Sequence, residues 1–118
     1  MKPLFIFYPG CSTCAKATQY LKETGIDVER RDILTDTPTA KELTEWIARS
    51  SKPVDKFFNT SGIVYREMQL KDKLKSMTDH EKITLLASNG KLIRRPLLVT
   101  PDVVYCGFKE SEYQTLTQ

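Results

Sequence analysis

Leu4–Phe5–Ile6–Phe7–Tyr8–Pro9–Gly10–Cys11–Ser12–Thr13–Cys14 contains, in order, a strand, a stop and a pair of thiols. Leu4 to Tyr8 is an unbroken apolar and aromatic run, the pattern of a strand buried on both faces. Pro9–Gly10 ends it. From Cys11 onward, Cys14, Ala17, Thr18 and Leu21 recur at helical spacing, with Lys16, Gln19, Lys22 and Glu23 opposite. That pattern predicts an amphipathic helix stopped by Gly25. A cysteine delivered to a helix N-terminus meets free N–H groups and the positive end of the helix dipole, which both favour a thiolate. The Cys11 pKa is therefore expected below the ordinary value of about 8.5. Cys14 lies one turn further on the same face, inside the apolar stripe. Cys11 is thus the expected nucleophile, and Cys14 the thiol that resolves a mixed disulfide formed there.

Outward from this segment, strand and helix signals alternate. Ile26, Val28 and Ile33 alternate with charges and predict a second strand over 26–33, followed by a turn at Asp36–Thr37–Pro38. Thr39 and Glu42 form a capping box before Leu43, Trp46 and Ile47, so a helix begins there and closes at Ser50–Ser51–Lys52–Pro53. Val54 to Leu74 mixes short apolar patches with charges and predicts short helices and turns. A second capping box, Thr78 to Glu81, opens a helix that Asn89–Gly90 ends. Leu97–Val99 and Val103–Cys106 read as strands joined by a turn at Thr100–Pro101–Asp102. Gly107 breaks the second of these, and Glu110 to Leu116 reads as a final short helix. The order is β-α-β, then helices, then β-β-α. No repeat or linker divides it, so residues 1–118 are expected to form one domain.

Composition narrows the function. The chain has 118 residues, 40% apolar and 28% charged, as in an ordinary globular protein. The net charge of +3 is spread along the chain, so direct nucleic-acid binding is not expected. No apolar run approaches the ~20 residues of a membrane span, and the N-terminus lacks the features of a signal peptide. Three cysteines, an odd number, argue against a structural disulfide framework and for a reducing, cytoplasmic setting. Half a zinc site shares the CxxC spacing, but the remaining donors, His80 and Cys106, stand far off and alone, so no metal is expected. His80 reads as exposed, Trp46 as core, Cys106 as a buried inert thiol, and Tyr65 and Arg66 as solvated surface. Of Arg94 and Arg95, Arg95 is the one expected to face the thiol.

Tyr8–Pro9–Gly10–Cys11–Ser12–Thr13–Cys14–Ala15–Lys16–Ala17 resembles the first active-site segment of the arsenate reductase and Spx family. Leu92–Ile93–Arg94–Arg95–Pro96–Leu97–Leu98–Val99 is similar to that family's Arg–Pro segment. The resemblance covers nearly the whole chain. It implies an α/β fold: a thioredoxin-like, glutaredoxin-type core with a mixed four-stranded sheet and a helical insertion at roughly 39–90. It also implies a cis Arg95–Pro96 bond with Pro96 beside the thiols, and Arg95 stabilising a thiolate or bound oxyanion. Ser12, Thr13, Arg94 and Asn59 are the candidate substrate contacts. The positions matching the family's further oxyanion-holding arginines are Asn59 and Gly107. Neither is cationic, which argues against efficient arsenate reduction. Arg94, Arg66 and Lys109 are the cations available as replacements. The resemblance therefore implies a thiol–disulfide oxidoreductase or an arsenate reductase-like enzyme. Its reductant would be glutathione with glutaredoxin, or thioredoxin, and no bound cofactor is expected. The alternative is an Spx-like redox-sensing regulator that contacts RNA polymerase, although the glycine such regulators carry after the second helix is replaced here by Ser51–Lys52–Pro53.

Overall fold

The computed structural model describes residues 2–117. Its strands are β1 (Leu4–Phe7), β2 (Glu29–Asp32), β3 (Leu97–Val99) and β4 (Val104–Cys106), in one sheet of order β2–β1–β3–β4. β1 runs parallel to β2 and antiparallel to β3, and β3 is antiparallel to β4. This is the mixed four-stranded sheet that the sequence leads one to expect.

Side chains alternate along a strand, so residues paired in register share a face. Phe5 lies opposite Leu98, and Ile6 opposite Leu97. Phe5 and Leu98 bury with Ala17 and Leu21 of α1 (Ser12–Glu23) and Tyr113 of α6 (Glu110–Tyr113). Ile6, Leu97 and Val99 bury on the opposite face with Leu43, Trp46 and Ile47 of α2 (Ala40–Ser50) and Ile83 and Leu86 of α5 (Asp79–Ser88). Both faces are covered, which is why β1 and β3 read as continuous apolar runs.

Between β2 and β3 the chain is helical. After α2 come a 3₁₀ turn at Val54–Phe57, α3 (Ile63–Glu67), α4 (Leu70–Lys73) with a 3₁₀ turn at Leu74–Ser76, then α5 and a last 3₁₀ turn at Gly90–Leu92. Both capping boxes form. Glu42 N–H donates to Thr39 Oγ1 at 3.1 Å and Thr39 N–H to Glu42 Oε1 at 3.0 Å. The Thr78–Glu81 pair repeats this at 3.1 and 2.9 Å.

The second and fourth strands are shorter than expected. Ile26 and Val28 pack into the α1 side of the core before β2 begins, and β2 itself is Glu–Arg–Arg–Asp. As an edge strand it has a single neighbour, and arginine stems replace aliphatic residues on its two faces. The Arg30 guanidinium lies 4.4 Å from the centre of the Phe7 ring and 5.5 Å from that of Phe5. Arg31 lies 5.8 Å from that of Trp46 and makes two bonds to Glu42, at 2.8 and 2.9 Å. Val103 is taken up by the turn before β4: its carbonyl accepts from Thr100 N–H at 2.9 Å, and its own N–H donates to Thr100 Oγ1 at 2.9 Å. The final helix divides into α6 and a 3₁₀ turn at Gln114–Thr117. Among the described residues, no helix is long and apolar enough to cross a membrane.

Candidate active site

β1 ends at a turn in which Cys11 N–H donates to the Tyr8 carbonyl at 3.1 Å. Cys11 is then the N-cap of α1, with extended backbone (φ −96°, ψ 122°), and its carbonyl accepts the first helical bond, from Ala15 N–H at 3.1 Å. No side chain caps this end of the helix. The free N–H groups therefore point at the Cys11 sulfur rather than at a capping oxygen.

Partial burial is the largest influence on Cys11 and works against ionisation. The N–H of Cys14, the Cys14 thiol, the Arg95 guanidinium and the N–H of Thr13 oppose it, and together they hold the pKa below its ordinary value. Cys14 is treated in the opposite way. It is 3% exposed, and burial, with the neighbouring Cys11, pushes its pKa up to about 12 against the smaller pull of Tyr8 N–H and Arg95. Tyr8 N–H donates to Cys14 Sγ at 3.4 Å. The segment thus carries one half-exposed thiol poised to ionise and one buried thiol, aimed at it, that keeps its proton.

Arg95 is held between the thiol and the Tyr8 ring, whose centre lies 4.5 Å from its Cζ, and it donates to the Lys91 carbonyl at 3.3 Å. The Arg95–Pro96 peptide is cis. Pro96 accepts from Gly107 N–H at 2.8 Å, which ties the start of β3 to the end of β4.

The thiol opens onto a cleft of about 1210 Å³ lined by Tyr8, Cys11, Ser12, Thr13, Arg94 and Arg95 on one side. Asn59, Tyr65 and residues of α3 and the α4 end form the other side. Asn59 is half-buried and fixed by its N–H to the Leu92 carbonyl at 2.8 Å. The candidate substrate contacts Ser12, Thr13, Arg94 and Asn59 therefore share one cleft. Arg66 and Lys109 are exposed and do not line it. Tyr65 corrects the sequence reading: it is half-buried against Phe58, with ring centres 6.3 Å apart, and lines the cleft. Its position depends on a packing partner outside its own segment, which no local pattern reveals.

Cys106 is buried and donates to the Lys56 carbonyl at 3.1 Å, and burial pushes its pKa up to about 11. It does not line the cleft. Among the described residues, no group of three or more His, Cys, Asp or Glu is placed to hold a metal ion. The role of Tyr8 escaped the sequence reading, which treated it only as the end of a strand. Its signal was its place three residues before a cysteine at a turn.

A dithiol at the N-terminus of the first helix, on a mixed four-stranded sheet flanked by helices, defines a thiol protein of the thioredoxin-like class. The sequence pattern of the ArsC family matches residues 7–116, and the chain belongs to that family. A crystal structure of an ArsC family related protein from Bacteroides fragilis is 53% identical, covers 98% of both chains and superposes with a TM-score of 0.96. The uncharacterized protein YusI of Bacillus subtilis is 42% identical over 97% of each chain. The regulatory protein MgsR of the same organism is 29% identical over 97% of this chain and 89% of its own. Global transcriptional regulators named Spx also match, for example one from Bacillus anthracis at 25% identity over 88% of this chain and 78% of its own.

Proposed function

We propose that the protein is a thiol–disulfide oxidoreductase or ArsC-like reductase working through Cys11 and Cys14. The observation that carries this reading is the thiol pair at the start of α1, with Cys11 facing an open cleft and Cys14 buried behind it. In the proposed cycle the Cys11 thiolate attacks one sulfur of a substrate disulfide, forming a mixed disulfide and expelling the other half as a thiolate. Cys14 then gives up its proton and attacks the Cys11 sulfur, expelling the second half. The substrate gains two electrons and two protons, and the protein keeps a Cys11–Cys14 disulfide. Arg95 steadies the attacking thiolate, Pro96 borders the thiols, and the N–H groups of the α1 N-terminus hold charge that develops there. Glutathione with glutaredoxin, or thioredoxin, in the cytoplasm restores the dithiol. Asn59 and Gly107 leave two oxyanion forks missing, which makes arsenate a poor substrate.

The likeness to MgsR and Spx supports a second reading, a redox-sensing regulator whose disulfide governs contact with RNA polymerase. One set of measurements separates the two. Equilibration with glutathione buffers and mass spectrometry should give a Cys11–Cys14 disulfide at potentials reached by cytosolic couples. Cys14→Ser should instead accumulate a mixed disulfide on Cys11. Steady-state reduction of a disulfide substrate favours the enzyme, and redox-dependent capture of polymerase without turnover favours the regulator. Failure of Cys11 to react in any of these would sink both.

A further inference from the structure

The Arg94 guanidinium rests on Gly107. A β-carbon at position 107 would lie 2.9 Å from Arg94 Nε, 3.2 Å from one terminal nitrogen and 3.3 Å from Cζ, and Gly107 has φ +81°. The backbone of Arg94 is fixed from the other side, because its N–H donates to the Phe57 carbonyl at 2.7 Å. Gly107 N–H is bonded to Pro96, so this seat is attached to the segment that carries Arg95 to Cys11. Arg95 is already occupied by Cys11, the Tyr8 ring and the Lys91 carbonyl. Among the described residues, no hydrogen bond or ion pair reaches the Arg94 guanidinium. Its planar fork of donors is therefore presented to the cleft unspent.

The rest of the cleft has the same sign. Lys56, Lys71, Lys75, Lys91, Arg94 and Arg95 line it against the carboxylates Asp55 and Glu67. Asp55 is itself neutralised by Lys82 at 2.7 Å, while Lys75 leans on Asp72, outside the cleft lining, at 3.8 Å. At about 1210 Å³ the cleft exceeds the usual range of small-ligand sites and suits a length of peptide. Its sign and size suit an anionic, extended ligand.

We propose that Arg94, seated on Gly107, selects the substrate by gripping a carboxylate close to the sulfur that Cys11 attacks, so that disulfides within acidic peptides are preferred. This rests on the exchange reading for its substrate class, but not for the grip itself. The seat needs residue 107 to lack a side chain, because the Arg94 guanidinium fills the space that a β-carbon there would take.

The first test compares alkylation of Cys11 by iodoacetate and by iodoacetamide, an anionic and a neutral electrophile of similar size, read site by site by mass spectrometry. Arg94→Ala should lower the iodoacetate-to-iodoacetamide rate ratio about tenfold, the worth of one charge-assisted contact. Arg94→Lys should recover part of it, and Arg66→Ala, outside the cleft, should leave it unchanged. An equal ratio in wild type and Arg94→Ala overturns the grip. The second test offers two synthetic peptide disulfides of one length, flanked by Asp and Glu or by Asn and Gln. Faster reduction of the acidic peptide, lost in Arg94→Ala, supports the substrate class, and equal rates overturn it. If neither peptide reacts while the alkylation ratio still depends on Arg94, the exchange reading falls with its substrate class and the grip stands.

Discussion

Arg95 and Cys14 act on one sulfur, that of Cys11. The Cys14 N–H and thiol, the Arg95 guanidinium and the Thr13 N–H all favour the Cys11 thiolate by donating hydrogen bonds to it, against the cost of partial burial. Removing the guanidinium leaves that cost in place. Arg95→Ala should therefore raise the pH midpoint of Cys11 alkylation and slow the reaction at neutral pH, whereas Arg95→Lys should retain part of the effect. A pH–rate series with iodoacetamide measures both. An unmoved midpoint would show that the helix N-terminus and the Cys14 thiol set Cys11 without Arg95. Buried Cys106 should stay unalkylated throughout, because its sulfur is enclosed and bonded to the Lys56 carbonyl.

At the scale of elements, α2 and α5 each begin with a reciprocal Thr–Glu box that satisfies two N–H groups otherwise left without partners. Thr39→Ala and Thr78→Ala should each cost about 1 kcal/mol, read as a denaturation midpoint shift or about 4 °C in Tm. Glu42 has a second task. Arg31 beside it, helped by the Thr39 N–H, holds its carboxyl down at about 2 against partial burial, and this pair fastens the edge strand β2 to α2. Glu42 is 33% exposed, so solvent screens the pair and Glu42→Gln should also cost only about 1 kcal/mol. Because Thr39 and Glu42 share the box, Thr39→Ala combined with Glu42→Gln should cost less than the sum of the two. Thr39→Ala with Thr78→Ala should be additive.

Over the whole molecule, the buried thiols and Glu42 bound the pH range of stability. Glu42 titrates lower in the folded chain than in the unfolded one, so its contribution is complete above about pH 5 and drains away as pH falls toward 2. Cys14 and Cys106 titrate higher in the folded chain, at about 12 and about 11. Between about pH 8.5 and those values the unfolded chain has lost thiol protons that the folded chain keeps, so stability declines as pH rises. Urea denaturation under reducing conditions should give a plateau between about pH 5 and 8 that tilts upward at its alkaline end as Cys11 ionises, with a falling limb on each side. Cys106→Ala should flatten the alkaline limb, although it lowers the plateau by leaving a small cavity.

Local chemistry was legible along the chain wherever it depends on near neighbours. Two capping boxes, the Pro–Gly stop, the thiol pair at a helix start and the apolar runs of β1 and β3 all express preferences settled within a few residues. What required the tertiary structure was anything carried by charged or aromatic side chains reaching across elements. Arg30 and Arg31 cover the faces of an edge strand that reads as polar, because long arginine stems bury while their ends bond or stack. Tyr65 turns into the cleft only because Phe58 is there to meet it. Arg94 and Arg95 are adjacent and chemically identical in sequence. The tertiary structure sends one to the thiol and lays the other on Gly107, whose contact with that guanidinium no local pattern marks.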